Sequence, residues 1–493
     1  MDAELPQIGI EDRVRVDVAD WPGALTSSNN GSVLLAPPPP GTPWRIETAP
    51  FVDTYYAREA VEALAVAPWL AAGAGGAGVK VAVFDVQWFN AEVALAELGN
   101  PQTHDCETQR SCDSPMDTLR PRFTWEEGSH GVACAEVIHD LAPEAELHLV
   151  RVNGQTTFEN AVEWAIREEI DVVSMSMSFF NNSFHDGTGP LNDAAARLGE
   201  NGVLLVTSAG NYAEEHWLGE WADADHDGFM EFDGGSAYLP VYLGSGGGSA
   251  YVSWDEFARC GRNDFDVRAV NRAGEIIGRA EAVQDEDADD CWPVERISMR
   301  ADTADWAWLQ VIRKRGAGGV KVGVLSRGSE LYGATGGSFA DPASSIGAFT
   351  VGAVRADGYA HNGPESFSSR GPTRSGHAKP DIAGPDGLST LTYGPTGFYG
   401  TSAATPAVAG AIVLALGEDP DATAAEVADR LAANAMSERF TWQDADPDLG
   451  AGRARLWSVD AESRRVCSGG GGAAMAAPLL WWVRSRRRLT WSR

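Results

Sequence analysis

Apolar and polar positions follow two rhythms along this chain. Residues 79–85 form an apolar run that ends in a carboxylate. Such a run reads as a buried parallel strand with Asp85 at its carboxyl end. Helical spacing of apolar positions begins at His130 and stops before Pro143. A strand over 146–152, a helix over 157–170, a strand over 171–178 and a strand over 203–207 follow. Strands alternating with helices predict a parallel, doubly wound α/β sheet with helices on both faces. From 217 to 336 the rhythm shortens. Segments 249–254, 265–270, 307–312 and 320–325 alternate apolar and polar positions between glycines and acidic turns. They predict an inserted β-sandwich. The longer strand pattern returns at 346–354.

Composition changes the picture at the two ends and in the choice of partners. Residues 1–45 hold a polar run from Ser27 to Ser32 and four prolines from Pro37 to Pro40, and read as a disordered leader. The expected division is then 46–216 and 337–460 as two parts of one α/β domain, 217–336 as the insert, and 461–493 as a Gly-rich linker and tail. At 493 residues, 44% of them hydrophobic, a sizeable core is expected. A net charge of −32, with four lysines, argues against nucleic acid as a partner, because phosphate binding needs clustered cations. Met1 is followed by acidic and polar residues, so no signal peptide is visible. Six cysteines allow 15 connectivities. Cys106 could pair with Cys112 and Cys260 with Cys291, leaving Cys134 and Cys467; reduced buried thiols are the alternative. Asp223, Asp225 and Asp227 precede Gly228 at alternate positions, a pattern that suits either calcium or a solvated acidic turn. The twelfth position is Gly234, so an EF-hand is not expected.

The candidate chemistry sits at Gly400-Thr401-Ser402, followed by Pro406 and Gly410. A serine placed where a loop enters an apolar helix meets free N–H groups and the positive end of the helix dipole. Its hydroxyl needs a base, and the base needs an orienting carboxylate. Asp85, then His130 in Gly128-Ser129-His130-Gly131, then Ser402 supply that order. Ser208-Ala209-Gly210-Asn211 ends another strand. These strings resemble the subtilisin-like serine proteases (subtilases), whose serine motif reads G-T-S-x-x-x-P-x-x-x-G. Residues 75–216 and 337–457 carry the resemblance.

The resemblance implies a subtilisin-like three-layer α/β fold with a mainly parallel central sheet. It implies Asp85, His130 and Ser402 as the triad, Asn211 as the oxyanion donor, and Ser176, Met177 and Ser178 as the edge that lines substrate. Protein or peptide substrates follow, with no required cofactor beyond possible calcium. One departure stands out: Gln87 occupies a place where the family has glycine after its aspartate. It keeps open the alternative of a catalytically inactive surface-binding protein on this fold; a second alternative is an esterase on the same triad. Cys467, four glycines (469–472), eleven apolar residues (473–483) and an arginine cluster resemble MYXO-CTERM sorting tags. An apolar stretch that short does not make an ordinary membrane span. The tag implies membrane or cell-surface attachment, hence an extracellular or surface location.

Overall fold

Seven strands, all parallel to their neighbours, form the centre of the computed structural model. Across the sheet they run Ile382–Asp386, Ala348–Arg355, Leu204–Ser208, Val172–Met175, Lys80–Asp85, Glu146–Arg151 and Gln102–Asp105. The structure describes residues 56–459 except 90–96, 100, 108–109, 117–127, 286–290, 332, 334 and 438–445. Before residue 56 it describes two short antiparallel pairs: Val14–Arg15 with Glu47–Thr48, and Ala24–Ser27 with Val33–Leu35. The rest of the leader expected over 1–45 lies outside the described residues. The chain divides after Trp457. Beyond it only Ser458 and Val459 are described, so Cys467 and the expected tail also lie outside. Among the described residues no helix is long and apolar enough to cross a membrane.

Period-two alternation sorts the central strands onto two faces. Ala82 and Phe84 share one face with Phe158 and Trp164 of the helix Gln155–Arg167, and with Leu191 and Leu198 of the helix Pro190–Glu200. Asp85 is one residue out of phase with Phe84 and faces the other layer, built by the helices His130–Leu141 and Thr401–Gly417. These two helices pack closely because Gly410 has no side chain. A Cβ there would lie 3.0 Å from Leu141 Cβ. From Thr401 to Leu416 every residue except Ser402 is buried. A helix apolar on all sides belongs inside a fold, and this one leaves a single opening, at Ser402.

The segment 216–331 forms two antiparallel sheets. One orders His216–Glu220, Lys321–Arg327, Gly248–Trp254 and Val294–Met299. The other orders Ile276–Ala280, Asp264–Asn271, Asp305–Arg315, Leu239–Leu243 and Ser329–Leu331. Trp217, Trp254, Phe265, Val267, Leu309 and Val324 meet between them. Cys106 pairs with Cys112, and Cys260 with Cys291. Strand Val172–Met175 ends three residues before the expected Ser178, so Ser176, Met177 and Ser178 lie past the sheet edge.

Candidate active site

The carboxylate of Asp85 is buried and fully engaged. Its Oδ1 accepts the N–H groups of Val86 and Gln87 at 2.8 and 2.9 Å. Its Oδ2 lies 2.7 Å from His130 Nδ1. That contact assigns the proton to Nδ1 and leaves Nε2 as the free base. Burial works to lower the His130 pKa, but the Asp85 charge and its hydrogen bond work against it, and the balance is a raised value. The imidazole therefore holds a proton more tightly than an isolated histidine, as a general base requires.

A glycine at 131 makes this approach sterically possible. A Cβ on Gly131 would stand 2.7 Å from Asp85 Cβ and 2.9 Å from the Trp88 ring, whose indole N–H donates to the Asp85 carbonyl at 2.8 Å. A Cβ on Gly128 would stand 2.7 Å from Gln87 Oε1. Gln87 itself is not among the residues with positive φ. Its carbonyl accepts Gly131 N–H at 3.0 Å. The turn after Asp85 therefore uses backbone that any residue adopts, and the absent glycine leaves no strain.

Ser402 is the second residue of its helix. Gly400 precedes the helix at φ +99°, and a Cβ there would lie 2.9 Å from Asn211 Nδ2. Asn211 Oδ1 accepts both the Thr401 N–H (3.0 Å) and the Thr401 hydroxyl (2.9 Å). With the oxygen so occupied, Nδ2 is left as a donor beside Gly400. Pro406 has no N–H, so the carbonyl four residues earlier, that of Ser402, loses its helical partner. Ser176 Oγ donates to it at 3.1 Å and Cys134 Sγ at 3.7 Å. The proline thus frees an acceptor through which two other elements hold the Ser402 turn.

The model of the subtilase family matches residues 76–232 and 290–457, well over half of the chain. The chain belongs to the subtilase family. Serine protease AprX of Bacillus subtilis (strain 168) is 34% identical to this subtilase over 148 residues, 26% of this chain and 31% of AprX. The match spans about a third of that relative's length. The CspB protease of Clostridium perfringens superposes with a TM-score of 0.55 at 18% identity, covering 82% of this chain and 98% of CspB. MycP1 from Mycobacterium smegmatis covers 83% of this chain and 87% of its own at 17% identity and a TM-score of 0.41. The likeness to CspB concerns the fold, a mixed α/β architecture about a large parallel sheet.

Of the substrate-lining residues expected in this subtilase, Ser176 turns its hydroxyl to the Ser402 carbonyl. Met177 packs on the apolar core, and Ser178 lies past the end of its strand. The carboxylates of Asp223, Asp225 and Asp227 come within 4.8 Å of one another. Asp223 also pairs with Arg313 at 2.6 Å, and each of the three accepts a backbone N–H within its own loop. Calcium would have to compete with those bonds.

Sequence reasoning set Cys134 aside as a leftover thiol. It stands one helical turn after His130, a spacing that puts both on one face, and its Sγ lies within 4.8 Å of the Asp85 and His130 ligand atoms. Burial, then the Asp85 charge, pushes the thiol well above its ordinary range, so it stays protonated and donates. Phe398 was also missed. Its ring meets His130 edge-on at 5.8 Å and stacks on Tyr393 at 5.2 Å.

Proposed function

We propose that this subtilase is a serine endopeptidase. Ser402 Oγ attacks the peptide carbonyl and its proton passes to His130 Nε2. The tetrahedral intermediate collapses to an acyl-enzyme as His130 returns the proton to the leaving amine. Water, deprotonated by His130, then releases the acid and restores the serine. Asp85 holds the imidazole tautomer and stabilises its cation. Asn211 Nδ2 and the Ser402 N–H are the oxyanion donors in this reading. The observation that carries it is the 2.7 Å Asp85–His130 contact beside a buried helix that opens only at Ser402. The unstrained turn at Gln87 favours catalysis over a binding-only protein. We further read the chain as exported and held at the cell surface through Cys467 and the tail, acting on proteins or peptides.

The test uses a fluorophosphonate probe on the full chain, with Ser402→Ala as control and mass mapping of the adduct. Labelling at Ser402 that disappears in the control is expected. A folded parent that takes no label sinks the reading. Comparing peptide amides with matched esters separates a peptidase from an esterase.

A further inference from the structure

The nucleophile turn is tied on a second side, by a group that the triad and oxyanion set do not include. Asp386 ends the strand Ile382–Asp386 and is fully buried. Its Oδ2 accepts the Gly400 N–H at 2.9 Å. Its Oδ1 is buried and takes up no N–H donor, and the Glu365 carboxyl lies within hydrogen-bonding reach of Asp386. A buried carboxylate that takes an N–H on only one oxygen is an expensive way to fill space. The charged and titratable groups around it do not offset that cost fully. Glu365 adds like charge, and Arg355, register partner of Asp386, lies 3.5 Å from Glu365 Oε1 and 4.9 Å from the Tyr399 ring centroid. Burial first, then Glu365, raises the Asp386 carboxyl to about 6.

We propose that Asp386 is a positioning residue for acylation, holding Gly400 so that the Ser402 hydroxyl and the Asn211 amide stay in register. The geometry leaves Gly400 between two anchors. Asn211 grips the following residue through the Thr401 N–H and hydroxyl, and Asp386 grips Gly400 from the other side. Gly400 also lies so close to Asn211 Nδ2 that a Cβ would fall at 2.9 Å. A small movement of Gly400 therefore shifts the oxyanion donor and the nucleophile together. A neutral side chain would fill the same space without the cost of a buried charge. An apolar side chain offers the Gly400 N–H no acceptor, whereas a carboxylate or a side-chain amide oxygen does.

This inference rests on the protease reading, and its test separates the two. Parent, Asp386→Ala and Asp386→Asn are compared as full chains by kcat and KM, by Tm at neutral pH, and by hydrogen exchange of the peptide covering 398–404. Asp386→Ala is expected to lower kcat about tenfold or more with KM nearly constant, because misplaced reacting groups cost rate. It should also speed exchange in 398–404 while leaving Tm at or above that of the parent. Asp386→Asn keeps an acceptor oxygen and should restore most of the rate and the exchange protection. An Asp386→Ala variant with parental kcat and exchange overturns the proposal. So does a rate loss that Asp386→Asn shares in full, or one that follows a fall in Tm. A parent without turnover or Ser402 labelling refutes the protease reading instead, and the exchange comparison still decides whether Asp386 holds the turn.

Discussion

Replacing Gly131 by alanine should damage catalysis through one added methyl group. That carbon would sit 2.7 Å from Asp85 Cβ and 2.9 Å from the Trp88 ring, whereas carbons in contact prefer about 3.5–4.0 Å. Something must give by roughly 1 Å. Trp88 cannot move freely, being buried and bonded through its indole N–H to the Asp85 carbonyl. Asp85 is held by two backbone N–H groups. The His130 helix is left to shift, which would stretch the 2.7 Å His130–Asp85 bond beyond useful length. Overpacking costs about 1–3 kcal/mol, and the weakened charge-assisted bond costs about 1.5–3 kcal/mol more. A displacement of that size lowers kcat by about 100-fold. The assay is kcat on a peptide substrate beside urea unfolding. Gly363→Ala serves as control, because a Cβ there meets nothing within 4 Å. A Gly131→Ala variant matching the control in both rate and stability refutes the steric reasoning.

The acidic limb of kcat/KM should lie above the ordinary histidine value, because Asp85 raises the His130 pKa and only neutral imidazole is a base. The stability that this pair contributes is complete below the unfolded histidine pKa and is lost as pH rises through the folded one. Asp85→Asn leaves burial acting alone, so the limb of the residual activity should move down and the rate should fall about 10⁴-fold. An unmoved limb would show that another group titrates. Arg374 is buried where the sandwich meets the α/β core, and burial brings it down to about 10. It donates to Phe184 O at 3.1 Å and Ser253 Oγ at 3.4 Å, and lies 3.3 Å from His216 Nε2. Arg374→Met should lose about 3 kcal/mol in urea unfolding, and an unchanged midpoint would show that these bonds contribute nothing net. Calcium should raise the Tm of chelator-treated protein if Asp223, Asp225 and Asp227 hold it, an effect that Asp225→Asn should weaken. No shift at millimolar calcium would leave those residues as an acidic turn.

What the sequence disclosed and what it withheld divide by distance along the chain. The strand ending at Asp85, the helix from His130 and the helix from Thr401 were legible because each signal is local: an apolar run, a helical spacing, a glycine before a helix. Strand pairing in the sandwich was not, since alternation marks a face without naming a neighbour. Val252 pairs with both Val324 and Glu295, and nothing in its own segment selects either. The need for glycine at position 131 depends on Trp88, and the use of Asp386 depends on Gly400. Neither appears until the fold brings the partners together. Gln87 shows the opposite error. The resemblance supplies glycine at that place, and its absence alone left catalysis in question. The backbone at Gln87 stays at negative φ and spends its N–H on Asp85 and its carbonyl on Gly131. A glycine matters only where φ or space requires it. Around this turn the space is required at Gly131, so the position that would disable the site is 131 rather than 87.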